Sequence, residues 1–475
     1  MSEKVYLLSR HGYYYYYDMV HRELSICDPR EYQLATSSRK NENDRNCTKR
    51  AREEAGGNYY NRRYSAIVTG DQIKNKLSNV GNICFEVTTR CNMRCAYCAY
   101  GKIYTNRTRA EIDMDYTVAK NIIDYHIEAC STTRMIGSNR RKLRLSFYGG
   151  EPLLAMDLIE RIVDYSKRVK WPYDISVTYG LTTNGTEIDK HIPFFVDNDF
   201  DMLISHDGPI ACMKYRVMKD GNSSYDVIEK NVDLIKSKYP KYYDKRVSFL
   251  AVLNNYSSID EIREFFMNRH NKVPLLGEIV PYGVRKRFRP LLNMMRKTKN
   301  MLNSDCGENR YDYNPNDYWK LRKIIDRSIF WCYQDYNELF LGKSKSKYFP
   351  TATCLPFGKS LFACADGDIL QCEKIDKKHK IGRATIRGVY IDYGKVAQDC
   401  MKKYERILSL CNMCYNIVCD GCLNCMDDDG EGYRCLSYMD KDTLRNMLED
   451  VISDVENSTL VNIRNVMKYR PLRHS

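Results

Sequence analysis

Alternating strand and helix patterns in the middle of the chain predict an α/β fold built on a parallel sheet. Three observations carry this. Six runs between residues 82 and 283 read as buried strands, amphipathic helical patterns separate them, and each strand run ends in a cluster of glycine, cysteine or polar residues. In barrels of β/α units, clusters at the C-terminal strand ends share one rim, and that rim is where chemistry is built. At 475 residues, 43% of them hydrophobic, the chain is long enough for two or three domains with a buried core.

Residues 1–80 open with a strand-like run from Lys4 to Ser9, a turn at Arg10-His11-Gly12 and the tyrosine run Tyr13 to Tyr17, closed by Asp18. Tyrosine favours pleated surfaces, so a β-hairpin is expected. The stretch from Ser37 to Gly57 is polar and charged, which suits a mobile linker or a solvated helix. A short helix from about Asp71, with Ile73 and Leu77 on one face, leads into the region 81–283. Strands are expected at Ile83 to Val87, Leu143 to Tyr148, Ile175 to Leu181, Asp201 to Ser205, Val247 to Leu253 and Leu275 to Val280. Helices are expected between them, among them Tyr225 to Lys238 and one beginning near Ser258, whose spacing to Glu261 is that of a capping box.

Residues 284–353 read as a basic linker or spacer, with Arg285-Lys286-Arg287-Phe288-Arg289 on a solvated face and a helical piece around Trp319 to Trp331. Residues 354–440 form a cysteine-rich domain, and 441–475 a charged helical tail.

Cysteine usage directs the chemistry. The chain has 20 cysteines, ten of them between Cys354 and Cys435, and its N-terminus carries no secretory apolar region. Thiols in a reducing cytoplasm serve metals or catalysis rather than a disulfide framework. No run of membrane-spanning length occurs, so a soluble cytoplasmic protein is expected. The net charge of +14 favours an acidic partner.

The run Val87-Thr-Thr-Arg-Cys91-Asn-Met-Arg-Cys95-Ala-Tyr-Cys98 places three thiols in CxxxCxxC spacing. A structural zinc site closes with four ligands, and Cys84 is the nearest candidate for a fourth; a cubane cluster on three cysteines leaves one iron open. Gly149-Gly150-Glu151-Pro152 follows the next strand, where paired glycines permit close backbone approach or a tight strand-to-helix turn. Further along, Cys354, Cys364, an Asp366-Gly367 turn, Cys372-Glu373, Cys411-Asn-Met-Cys414, Cys419-Asp-Gly-Cys422, Cys425 and Cys435 are too many thiols for one metal site. Two zinc sites are the bland reading of that field.

The first cysteine run resembles the signature of the radical S-adenosylmethionine (SAM) superfamily, including the aromatic Tyr97 before the third cysteine. The resemblance implies a partial (β/α)6 TIM-type barrel, a [4Fe-4S] cluster on Cys91, Cys95 and Cys98, and reductive cleavage of SAM to a 5'-deoxyadenosyl radical that abstracts hydrogen. Gly149, Gly150 and Glu151 resemble the GGEP motif that receives the SAM ammonium. Ser205 and Arg216 flank Asp207-Gly208-Pro209, in a segment like the one in which serine and arginine hold the SAM carboxylate and ribose. Here His206 replaces the usual aliphatic residue, and the Ser-to-Arg gap is one residue shorter than usual. Thr183 and Asn184 match a run near the ribose, and Leu253 is placed for adenine packing or for the core.

The second cysteine field resembles the SPASM extension, which implies two auxiliary [4Fe-4S] clusters and three in all. Cys354, Gly367 and Cys372 match its first element; the gaps from Cys414 to Cys419 and Cys419 to Cys422 are shorter than in its later block. By that resemblance one cluster takes Cys354, Cys364, Cys372 and Cys422, with Cys425 competing for the last place, and the other takes Cys411, Cys414, Cys419 and Cys435. Glu373, directly after Cys372, stands where the sulfatase-maturing family carries a catalytic base, with glutamate in place of aspartate.

The N-terminal hairpin, the Phe85-Glu-Val-Thr lead-in and Tyr97-Cys98-Ala-Tyr100-Gly101 look most like maturases of ribosomally made peptides, including thioether-forming ones. The implied partners are a precursor peptide with its leader, bound at the hairpin, and a small flavodoxin- or ferredoxin-type electron donor. No membrane is called for, and nucleic acid is disfavoured. A sulfatase-maturing enzyme that forms formylglycine is the alternative within the superfamily. A non-catalytic zinc or nucleic-acid-binding protein is the alternative outside it, and it leaves the glycine motif and the barrel order without a reason.

Overall fold

Period-two burial of the tyrosine run builds the first sheet. Strands β1 (Lys4–Leu8), β2 (Tyr14–Asp18) and β3 (Glu23–Ile26) are antiparallel, in the order β1-β2-β3. Val5 pairs with Tyr17 and Leu7 with Tyr15, and these four side chains are buried while Tyr14 and Tyr16 face outward. Gly12 turns the hairpin at a φ of +81°. Helix α1 (Pro29–Ser37) sends Glu31 back to Lys4 and Tyr6.

The structure, a computed structural model, describes residues 4–18, 23–37, 67–105, 111–132, 140–281, 283–298, 355–416, 422–425, 427–428, 433–435 and 438–456. The expected linker up to Gly57, the helical piece around Trp319 to Trp331, Cys354 and Cys419 lie outside these residues. Chain contacts define two compact units: Thr69–Gly307 with Cys354–Asp399, and Met1–Val68 with Glu308–Thr353 and Cys400–Ser475.

The unit that begins at Thr69 holds the large sheet. Helix α2 (Gly70–Ser78) starts at a full capping box, Thr69 with Gln72. It is followed by β4 (Asn82–Thr88), α3 (Tyr116–Thr132), β5 (Arg140–Gly149), α4 (Met156–Arg168), β6 (Asp174–Thr183), α5 (Ile192–Asp197) and β7 (Asp201–Ser205). Helices α6 (Tyr225–Lys238) and α7 (Pro240–Arg246) then precede β8 (Val247–Leu253), and α8 (Ile259–His270) precedes β9 (Leu275–Glu278). Strands β4 to β9 are parallel and lie side by side in sequence order. Neighbours in sequence are neighbours in space because each helix carries the chain back to the same end of the sheet.

This is the α/β barrel architecture expected from the sequence, left open. Alternation along β4 buries Ile83, Phe85 and Val87 completely, and Phe85 stacks on its register partner Phe147, which stacks on Phe200. Helix α8 begins at Ser258, whose Oγ accepts from the Glu261 N–H, the N-cap half of the expected capping box.

Beyond helix α9 (Arg289–Met295), four short strands extend the same sheet: β10 (Leu361–Ala363), β11 (Asp368–Leu370), β12 (Gly382–Thr385) and β13 (Gly388–Tyr390). Strand β10 runs parallel to β4, with Phe362 opposite Cys84. The Asp366-Gly367 turn makes the expected hairpin between β10 and β11. Gly367 is required there twice over, by a φ of +87° and by the Ala384 carbonyl 2.2 Å from where a Cβ would sit.

In the other unit, helix α10 (Tyr393–Asn412) contributes its part from Cys400 onward, β14 (Asp427–Asp428) pairs with β15 (Tyr433–Arg434), and α11 (Lys441–Glu456) follows. Glu449 and Ser453 of α11 accept the backbone N–H groups of Leu8 and Arg10. No helix among the described residues is long and apolar enough to cross a membrane.

Candidate active site

The cysteine loop leaves the C-terminal end of β4 and is fixed from three sides. Its backbone is zipped to the segment that carries Arg216: Arg94 N–H donates to the Val217 carbonyl at 2.7 Å and Ala96 N–H to the Tyr215 carbonyl at 3.0 Å. Asn92 accepts from the Asn184 side chain at 2.8 Å and donates to Thr186 at 2.8 Å. From the third side, Gly150 N–H donates to the Thr88 carbonyl and Glu151 N–H to the Arg90 carbonyl. A Cβ on Gly149 would stand 2.1 Å from the Thr88 oxygen and one on Gly150 2.3 Å from the Arg90 oxygen, so the paired glycines let β5 close on the loop.

These contacts assemble one cavity of about 340 Å3. Cys91, Cys95 and Cys98 line it together with Tyr97, Gly149 and Gly150. Thr183, Asn184, Ser205 and Arg216 line it as well, and so does Glu373, from the turn after β11. Eleven residues singled out from the sequence thus meet at one place.

Two others do not line it. Leu253 is fully buried, because alternation along β8 turns Leu250 and Val252 to the cavity and Phe249, Ala251 and Leu253 to the opposite face. Glu151 is fully buried beside the cavity, where its carboxylate accepts from Thr183 Oγ1 at 2.7 Å, Asn184 N at 2.7 Å and Leu153 N at 3.2 Å. Its geometry is that of a brace for the Thr183-Asn184 turn. Burial pushes its carboxyl up to about 7, against those hydrogen bonds.

Beneath the loop lies a charged network that the sequence reading passed over. Asp207 accepts from the Tyr97 hydroxyl and from the Val252 N–H, and its Oδ1 lies 3.0 Å from Arg216 Nε. Burial and then the Asp207 charge hold the Tyr97 hydroxyl far above the usual phenol range, with Arg216 opposing. Arg216 is 6% exposed and lines the cavity, where a guanidinium is suited to a ligand carboxylate. His206, flagged as a departure, is fully buried; its Nδ1 accepts from Gly208 N–H at 3.1 Å and its Nε2 lies 3.1 Å from Glu229. For Asp207 the available signal was an acid beside the glycine turn at the end of a buried strand.

The donor set fits an iron-sulfur cluster. Cys91, Cys95 and Cys98 are half-buried thiols, and Cys91 Sγ accepts from the Met93 N–H at 3.4 Å and from the Asn184 side chain at 3.9 Å. Burial pushes the Cys95 thiol up to about 12 while Arg216 pulls it down, so bound iron would be needed to turn it into a thiolate. Among the described residues no three His, Cys, Asp or Glu side chains converge closely enough to hold a single metal ion.

Of the second cysteine field, Cys364 is buried in the β10–β11 turn and Cys372 is half-buried beside Glu373. In the other unit Cys414 N–H donates to the Cys411 carbonyl, and Cys414 Sγ accepts from Asn416 N and Met439 N, each at 3.4 Å. The Cys435 carbonyl accepts from Tyr438 N–H in the segment that meets this turn, since Tyr415 N–H donates to the Met439 carbonyl. Cys422 is half-buried, and Cys425 lies in a single 3-10 turn with Leu423.

Residues 85–266 match the family model described as "Radical SAM superfamily". The chain is 26% identical over 293 residues to the cysteine-type anaerobic sulfatase-maturating enzyme of Clostridium novyi, covering 60% of this chain and 68% of that one. It is 28% identical over 199 residues to the radical SAM cyclopropyl synthase TigE of Paramaledivibacter caminithermalis, covering 41% of this chain and only 38% of that one. Among solved structures, native anSMEcpe with bound AdoMet aligns at a TM-score of 0.49 and 16% identity, over 79% of this chain and 96% of that one.

Residues 85–266 thus carry a radical SAM domain, which implies SAM and a [4Fe-4S] cluster as its cofactors, and the chain is related to enzymes and is itself one. It is related to an anaerobic sulfatase-maturating enzyme and to a radical SAM cyclopropyl synthase.

Proposed function

We propose that the enzyme is a maturase of a ribosomally made precursor peptide, joining a cysteine sulfur to carbon in a thioether or a related cross-link. The observation that carries this reading is the presence of Glu373, next to Cys372 of the second cysteine field, in the same cavity as Cys91, Cys95, Cys98 and Arg216. When bound, SAM and the cluster supply one-electron cleavage to a hydrogen-abstracting radical. The chain's own residues bind and orient. Arg216 would offer its guanidinium to the SAM carboxylate and Thr183 and Asn184 would hold the ribose, while Leu250 and Val252 give the cavity an apolar wall. Glu373 would take a proton from the substrate while an auxiliary cluster of the second cysteine field accepts the electron that the substrate gives up.

Two auxiliary [4Fe-4S] clusters are proposed for the second cysteine field, with Cys354 and Cys419 completing the sets named above and Cys422 or Cys425 as the last ligand of the first. A small flavodoxin- or ferredoxin-type donor in the cytoplasm would supply electrons. The leader would add as a strand to the N-terminal sheet. Since β2 is the inner strand and the Leu8 N–H on β1 is taken by Glu449, β3 is the better edge for it.

A second reading, conversion of a cysteine to formylglycine, is favoured by the same Glu373 placement and by the name of the Clostridium novyi relative. The mass of a cysteine-containing peptide encoded beside this chain separates the two after anaerobic reaction with SAM and reductant. A cross-link removes two hydrogens; formylglycine replaces the thiol and a hydrogen with a carbonyl oxygen. Glu373→Gln is expected to lower product per 5'-deoxyadenosine by about 10^2-fold or more, as loss of a general base does. An unaltered peptide with the wild-type enzyme contradicts the maturase reading, and a normal ratio in the variant removes Glu373 from it.

A further inference from the structure

Glu86 lies on β4 between Phe85 and Val87, yet it is a carboxylate with only 1% exposure. Its two oxygens serve two different segments: Oε1 accepts from the Tyr100 hydroxyl, and Oε2 accepts from the Ala365 N–H at 2.9 Å. Tyr100 stands two residues after Cys98, and Ala365 directly follows Cys364. A buried carboxylate is tolerated where its oxygens are satisfied, and here each of the two segments supplies a donor. Pairing of β10 with β4 brings the Cys364 turn to this position, but that pairing ends with Ala363 opposite Phe85. The Glu86 bond is a further hold on the turn itself.

We propose that Glu86 is a positioning residue that fixes the Cys364 turn relative to the loop of Cys91, Cys95 and Cys98, so that the two cysteine sets keep one spacing. The inference rests on the reading that Cys364 ligates an auxiliary cluster. A displacement of about 1 Å between reacting centres is enough to cost about 10^2-fold in rate, so such a brace bears directly on catalysis.

The test compares wild type, Glu86→Leu, Glu86→Gln and Tyr100→Phe, each purified anaerobically, by hydrogen exchange at the Ala365 amide and by iron content. In Glu86→Leu the amide should exchange about 10- to 100-fold faster, as expected for loss of a hydrogen bond to a buried charge. Iron should fall from about twelve per chain toward about eight, one cubane's worth. Glu86→Gln keeps an acceptor oxygen for Ala365 and should restore both values. Tyr100→Phe, which leaves the Ala365 bond in place, should keep wild-type exchange there and guards against a Leu variant that fails to fold. Unchanged Ala365 exchange in a folded Glu86→Leu, or faster exchange with all iron retained, overturns the proposal. Wild-type protein holding only about four irons overturns instead the auxiliary-cluster reading beneath it, and with it the spacing role, whatever the amide shows.

Discussion

Glu151 illustrates how a residue can be found from its motif and still have its use hidden. Its place after the paired glycines was legible; its three hydrogen bonds to Thr183, Asn184 and Leu153 depend on a turn from the next strand. Because burial raises its folded carboxyl to about 7 from 4.5, the folded chain keeps a proton that the unfolded chain releases. Its contribution therefore becomes less favourable as pH rises from about 4.5 to about 7, and is constant above that. Denaturant unfolding of wild type and Glu151→Gln at about pH 5 and about pH 8 should show their stability difference moving toward Gln by on the order of 3 kcal/mol at the higher pH. A difference that stays flat, or that moves toward wild type, contradicts the shift. Arg216 was found despite its short gap from Ser205, because residues Ile210–Tyr215 form a tight 3-10 segment that still brings it to the cavity. Asp207 belongs to the same run, yet its bonds to Tyr97 and Arg216 join parts of the chain that no local pattern relates.

At the scale of elements, hydrophobic periodicity located the six parallel strands, and Tyr225–Lys238 has the helix bounds expected. Each of those signals is local, as is the Asp366-Gly367 turn. The joining of β10 to β4 is not: Leu361 to Ala363 read only as half of a hairpin, and their burial on the barrel sheet follows from pairing with a distant strand. The glycine turn gives a direct test of how elements hold the cysteine loop. Gly150→Ala would set a Cβ 2.3 Å from the Arg90 oxygen and 2.7 Å from the Thr89 oxygen, all backbone atoms that side-chain motion does not relieve. It should destabilise the protein by about 1–3 kcal/mol and reduce SAM cleavage, whereas Gly81→Ala, which meets nothing within 4 Å, should do neither. Thermal melting and 5'-deoxyadenosine formation measured on both variants check this, and equal behaviour of the two would count against the close-packed turn.

For the whole molecule, spacing rules carried the assignment further than composition did. A net charge of +14 and 20 cysteines suit several classes of protein, while CxxxCxxC followed one β/α unit later by paired glycines defines a site. The compact units interleave along the sequence, one taking Cys354–Asp399 and the other Cys400–Ser475, a division that depends on tertiary contacts and leaves no mark on local composition. The central proposal is that the cavity bounded by Cys91, Cys95, Cys98 and Arg216 cleaves SAM. The most direct measurement is 5'-deoxyadenosine formed from SAM under strong reductant by anaerobically reconstituted wild type and by the Cys91→Ala, Cys95→Ala, Cys98→Ala triple variant. Wild type should form it and the triple variant none; equal formation by both, or none by an iron-loaded wild type, would contradict the account.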